Sequence, residues 1–168
     1  MSLPAWLPAA LTEPDLVKLE PLAWAAYQTS FKAGQLMPKF KIGAVSVERV
    51  PHVANPNREH TYWHAVTEGS PEHTRIKAIK ERLERVPWLR PFIENWAQCL
   101  VWWEERYGSK HWNLWHQAAG HVVIVKETRT GYFLKTGYPV RVHDVASWVR
   151  RHETAKKNEP RLVKLNAA

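Results

Sequence analysis

The chain has 168 residues, 45% hydrophobic and 24% charged, which suffices for one packed domain and excludes wholesale disorder. Lys plus Arg number 24 against 16 Asp plus Glu, a formal charge of +8 with a pI near 9.7. The expected partners are therefore polyanions, nucleic acid first and an anionic membrane second. The single Cys99 excludes an intramolecular disulfide and a cysteine zinc cluster, and its apolar setting, AQCLVWW, reads as a buried, inert thiol in a reducing compartment. No secretory signal pattern and no run approaching ~18 apolar residues is present, so no membrane span is expected and the location is expected to be cytoplasmic.

Residues 1–20, with Pro4, Pro8 and Pro14 and then Pro21, read as an irregular lead-in to a domain spanning 21–145. Leu22 to Lys32 has helical spacing and Gly34 is its stop. Lys41 to Val50 is strand in part, 51–57 is a loop, and Thr61 to Val66 fits either a strand or a short turn. Gly69-Ser70-Pro71-Glu72 then predicts a helix start, with Ser70 as cap, Pro71 in the first turn and Glu72 against the positive end. That helix is expected to run to Val86, before Pro87, burying Ile76, Ile79 and Leu83. Arg75, Arg82 and Arg85 border this stripe. Trp88 to Arg106 reads as a turn and an apolar second helix ending at Tyr107-Gly108. Three strands follow as a meander, 110–117, 121–127 and 132–138, separated by Ala118-Ala119-Gly120 and Thr130-Gly131. Residues 146–168 add a short helix, Ala146 to His152, and a basic mobile tail. The order implies an α+β fold, N-terminal helices packed on a C-terminal antiparallel sheet.

RNA carries its own nucleophile, the 2′-OH, and can be cut without a metal. A base takes that proton, an acid protonates the departing 5′ oxygen, and cations steady the charge that builds on phosphorus. His64 is the candidate acid or base. Arg75 and Arg85 are the candidate phosphate clamps, with Arg82 and Arg90 behind them. Thr136 and Tyr138 lie two apart on a strand and so face the same side, where they can position a phosphate, with Lys135 just before them as an RNA contact. Ten tryptophans are mostly core, but Trp63, beside His64, is the candidate to stack on a base. His60 and His64 lack the glutamate of H-E-x-x-H, no glycine loop can cradle phosphates and no G-x-S-x-G elbow occurs, so no metal or cofactor is expected.

The runs YWHAVTEG, TR, ERLERVPWLRPFIEN and YFLKTGYPV resemble a family of small phage and mobile-element proteins grouped with the barnase–EndoU–colicin–RelE (BECR) nuclease superfamily. The matching positions are Trp63, His64, Thr67, Glu68, Gly69, Arg75, Glu84, Arg85, Trp88, Arg90, Pro91, Ile93, Glu94, Thr136, Tyr138 and Val140, within a similarity spanning residues 22–140. Thr74 stands where the family has an Asp, removing that carboxylate partner of Arg75. Val86 replaces an isoleucine, and Gly137 replaces an alanine, an exchange expected to loosen the strand end. The resemblance implies a metal-independent RNase: helices on a curved antiparallel sheet, a site on its concave face, and a histidine, arginine, threonine and tyrosine within it. Products would carry 2′,3′-cyclic phosphates, and a toxin or phage effector would have RNA as substrate and an immunity or antitoxin protein as partner. The rival readings are a nucleic-acid-binding protein without chemistry and a partner-binding structural protein with a tryptophan-rich interface.

Overall fold

The computed structural model describes residues 2–158. The irregular lead-in ends earlier than the sequence predicts, because Asp15 caps a helix at Leu16: its carboxylate accepts the Val17 N–H at 2.9 Å. Helix α1 (Leu16–Ser30) therefore contains Pro21 and buries Leu19, Ala23 and Tyr27, spaced by four along one face. A short hairpin, β1 (Lys39–Phe40) and β2 (Gly43–Ser46), follows. The expected loop at 51–57 is instead a second hairpin, β3 (Pro51–His52) with β4 (Asn55–Glu59). The ambiguous stretch after it is helix α2 (His60–Val66), in which Thr61 to Val66 are all buried. A helix buried all round shows no amphipathic period, which is why spacing could not identify it.

The long basic helix over 70–86 does not form. Its backbone groups find tertiary partners instead: the Trp63 indole donates to the Arg75 carbonyl, Ile79 N–H bonds Val66 O at 2.8 Å, and Thr67 bridges Ala78. What remains is a 3₁₀ turn at Glu72–Thr74 and a single turn of helix, α3 (Lys80–Leu83). Leu83 is buried as expected, whereas Ile76 is 77% exposed. The expected second helix also stops early, as α4 (Leu89–Glu94). The apolar run beyond it is strand β5 (Leu100–Arg106), whose side chains alternate between two covered faces of a sheet. A short apolar run does not by itself distinguish buried helix from buried strand.

The meander β6 (Ser109–His116), β7 (His121–Thr128) and β8 (Gly131–Pro139) completes the architecture. The fold is α+β, with one six-stranded sheet in the order β1-β2-β8-β7-β6-β5. It is mixed rather than antiparallel, because β2 lies parallel to β8 through Val45↔Tyr132 and Ser46↔Phe133. One face, carrying Val101, Leu114, Val123, Val125 and Leu134, packs under the helices of the N-terminal half. The opposite face holds Trp102, Trp115, Val122 and Ile124. One end of it is covered by α5 (Val145–Asn158), whose Trp148 sits 5.5 Å from the Trp102 ring. This helix outruns the expected Ala146–His152 segment. Of the expected mobile tail, 155–168, the first four residues belong to this helix, and 159–168 lie outside the described residues. No described helix is long and apolar enough to cross a membrane.

One irregularity decides which side chains meet. Ile124 pairs with Thr136 while its neighbour Val125 pairs with Leu134, so Lys135 is an extra residue, a β-bulge. In a regular strand Leu134 and Thr136 would share a face and Lys135 would take the other. The bulge sends Leu134 into the helix-covered core while Lys135 and Thr136 both reach the opposite face.

Candidate active site

A cleft of about 550 Å³ opens on that opposite face, beside the region covered by α5. Its floor is the sheet itself: His111 on β6, Ile124 and Lys126 on β7, and Lys135, Thr136 and Tyr138 on β8. One wall is the end of α2 and the segment after it, with His64, Glu72, Arg75 and Arg82. The other is the β5–β6 turn with Arg106 and Tyr107. The β8 edge beyond Phe133 has no strand neighbour among the described residues, and α2 lies along it. This brings His64 over the strand that carries Lys135 and Thr136. Six of the residues singled out from sequence thus line one cleft: His64, Arg75, Arg82, Lys135, Thr136 and Tyr138.

His64 is 7% exposed. Its Nδ1 is sealed and unpaired, and its Nε2 lies 3.2 Å from Glu72 Oε1. Burial pushes the imidazole well below its ordinary pKa of 6.5, and the charges of Lys135 and Arg75 push the same way against the weaker pull of Glu72. His64 is therefore neutral near pH 7, with its Nε2–H directed at the Glu72 carboxylate. Burial works to raise the Glu72 carboxyl. The hydrogen bond from His52 and the charges of Arg75 and Lys135 outweigh it, so Glu72 is held anionic. Burial lowers the Lys135 ammonium pKa, with Arg75 and Lys126 adding to the effect. Thr136 lines the cleft, and its hydroxyl is buried without a hydrogen-bond partner.

Arg75 and Arg82 hold the wall together as well as charging it. Arg75 Nη1 donates to the carbonyls of His64 at 3.2 Å and Thr67 at 3.0 Å, and Arg82 Nη1 donates to the same Thr67 carbonyl. The carboxylate that Thr74 cannot supply comes from Glu72, whose Oε2 lies 3.2 Å from Arg75 Nε. Glu72 thus touches both His64 and Arg75. Sequence reasoning saw in it only a helix-end charge, because its true neighbours depend on a 3₁₀ turn that the helical pattern conceals.

Three expected site residues lie elsewhere. Trp63 is buried, with its indole committed to the Arg75 carbonyl, and offers no face to a base. Arg85 donates to Glu81 O at 3.0 Å and lies over the Trp88 ring, outside the cleft. Arg90 fastens α4 to the end of α1 and the loop after it, donating to Ser30 O (2.7 Å) and Leu36 O (3.0 Å), and pairs within α4 with Glu94 (2.7 Å). Gly137, expected to loosen its strand end, is a tight-packing position: a Cβ there would meet Leu89 Cδ2 at 2.5 Å and His121 Nε2 at 3.2 Å. Lys126, His111 and Arg106 are cleft residues that the sequence pattern did not single out.

No family model, curated protein or solved structure matches the chain. Its chemistry is accordingly read from the cleft.

Ligand atoms of His52, His60 and Glu72 lie within 4.8 Å of one another, a spacing that could hold a metal ion. The hydrogen bonds speak against it. His52 Nδ1 accepts the Ala54 N–H at 3.0 Å, so its proton sits on Nε2, which donates to Glu72 Oε2 at 3.1 Å. A metal needs the Nε2 lone pair, and a ligating histidine donates from its other nitrogen rather than accepting there. His52 acts instead as a brace for Glu72.

Proposed function

We propose that this protein is a metal-independent RNA endonuclease that cleaves by transesterification to a 2′,3′-cyclic phosphate. The observation that carries the reading is the gathering, in one basic cleft, of a neutral histidine, an anion that it orients, a desolvated lysine and two hydroxyl donors. Glu72, held anionic and oriented by the Nε2–H groups of His64 and His52, takes the proton from the 2′-OH. The 2′ oxygen attacks phosphorus, the P–O5′ bond breaks, and O5′ takes a proton from the Lys135 ammonium, whose lowered pKa makes it the better acid. Thr136 and Tyr138 donate to the non-bridging oxygens, and Arg75 and Arg82 stabilise their charge. Burial keeps the Tyr138 phenol protonated and able to donate.

Helices on one face of the sheet and a cleft on the other agree with the BECR resemblance, although the mixed sheet and the added α5 depart from it. The toxin or phage-effector role, with its immunity partner, rests on the resemblance alone. The near-complete burial of His64 favours one rival, an RNA-binding protein without turnover. One assay separates them: purified protein with total RNA in EDTA, beside Glu72→Gln. Cyclic-phosphate ends from the wild type, and far fewer from Glu72→Gln, support the proposal. Cleavage that requires Mg²⁺, or is undiminished in Glu72→Gln, refutes it. Binding without cleavage selects the rival.

A further inference from the structure

The cleft has a rim feature that the chemistry above does not use. Arg106 pairs with Ser109, leaving Tyr107-Gly108 as a two-residue hairpin turn. Both central residues have positive φ, 52° at Tyr107 and 67° at Gly108, as the I′ turn requires. Asn-Gly or Asp-Gly is the natural choice for such a turn, and a bulky side chain in left-handed backbone is disfavoured. This chain nevertheless places a tyrosine there, and its side chain is 100% exposed. Nothing in the fold is served by the ring, and a better turn residue was open to the sequence.

The ring stands where a nucleic acid would meet it. Tyr107 borders the cleft beside Arg106, with Lys126 on the floor below. On the turn's other flank, Lys110 and Arg129 line an adjoining depression. Cations on both sides suit a phosphate backbone crossing the turn, and an exposed phenol between them suits the π-face of a base. A paired base hides its faces within the stack, so the matching substrate is single-stranded.

We infer that Tyr107 is the stacking platform for an unpaired nucleobase of a single-stranded RNA whose neighbouring phosphate lies in the cleft. This rests on the phosphodiester reading of that cleft.

The probe is a short single-stranded 2′-O-methyl RNA, which cannot be cleaved, carrying one 2-aminopurine. Binding is read by anisotropy, and stacking by loss of the 2-aminopurine emission. Tyr107→Ala should bind about tenfold more weakly and lose the quenching, while Tyr107→Trp keeps both. Tyr107→Asn should bind as weakly as Tyr107→Ala yet melt above the wild type, because asparagine suits the turn; a purely structural tyrosine would give the opposite. Annealing the probe to its complement should erase the difference between wild type and Tyr107→Ala. Equal binding and quenching by Tyr107→Ala, in a protein that cleaves RNA, overturns the stacking role and leaves the nuclease reading intact. Stacking on Tyr107 without cleavage of natural RNA upholds the platform and overturns the chemistry. A wild type that ignores the probe at low salt overturns both, and so does one that binds anionic vesicles instead.

Discussion

Gly137→Ala sets two effects of opposite sign against each other. The Gly137 backbone lies outside the left-handed region, so alanine can adopt it, and at a compatible site this exchange stabilises by ~0.4–1 kcal/mol through the unfolded chain. The new methyl, however, would arrive 2.5 Å from Leu89 Cδ2, 3.2 Å from His121 Nε2 and 3.4 Å from Val122 O. Leu89 is a flexible side chain, but it is 2% exposed and His121 is 1% exposed, so neither has open space to enter. Overpacking of this kind costs ~1–3 kcal/mol and should win, for a net loss of about 1–2 kcal/mol. In a chain of this size that lowers Tm by ~2–8 °C. Urea unfolding and thermal melting of wild type, Gly137→Ala, Leu89→Ala and the double variant measure it. The two substitutions should couple, the double variant losing less than the sum of the singles, because the truncated leucine admits the methyl. Unchanged or increased stability of Gly137→Ala would show that the strand and α4 do not meet as closely as described.

Glu72→Gln keeps the shape and removes the charge beside His64 and Arg75, and should slow RNA cleavage by ~10²-fold with little change in melting; a wild-type rate would detach Glu72 from the chemistry. His121 is wholly enclosed between Trp88 and Phe92, and burial lowers its pKa to about 3, with the charges of Arg85 and Arg82 adding to the effect. For His121 and for His64 the unfolded chain therefore binds protons that the folded chain refuses. Stability should be full above about pH 6.5 and decline as pH falls towards 3, by up to ~1.4 kcal/mol per unit for each. Urea midpoints that stay flat from about pH 7 to about pH 5 would contradict this. Arg90→Ala should cost ~1–3 kcal/mol of stability by releasing Ser30 O, Leu36 O and Glu94, yet leave RNA affinity unaltered in filter binding.

What the sequence disclosed followed local chemistry. Ala118-Ala119-Gly120 and Thr130-Gly131 mark the turns of the meander, and the shared side of Thr136 and Tyr138 follows from strand pleat alone. What it concealed depended on partners distant in sequence or on breaks in period. Ile76, Ile79 and Leu83 satisfy a helical period, but Thr67 O captures Arg75 and Arg82, and Trp63 captures the Arg75 carbonyl, so the helix gives way. No spacing rule reveals such competition. Trp63 looked available because aromatic residues beside a histidine suggest a binding face, yet its indole N–H had a buried acceptor to satisfy. Glu72 entered the cleft only because the helix around it did not form.

The bulge at Lys135 allows a sharper test than any substitution, since it separates the fold from the site within one strand. Because Lys135 is the residue with no counterpart on β7, deleting it leaves Leu134 opposite Val125 and Thr136 opposite Ile124, each already facing as it must. That deletion should restore a regular ladder at a change of about 1 kcal/mol or less while removing a cation from the cleft floor. Deleting Leu134 instead would also regularise the ladder, but it would set Lys135 opposite Val125, facing the helix-covered core. An uncompensated ammonium there is costly enough to unfold a marginal domain. Two deletions one position apart should therefore diverge: circular dichroism and melting show a folded protein without Lys135 and none without Leu134. RNA cleavage should disappear from the first although its structure persists. If both unfold, the bulge is needed by the fold itself, and its service to the cleft is incidental.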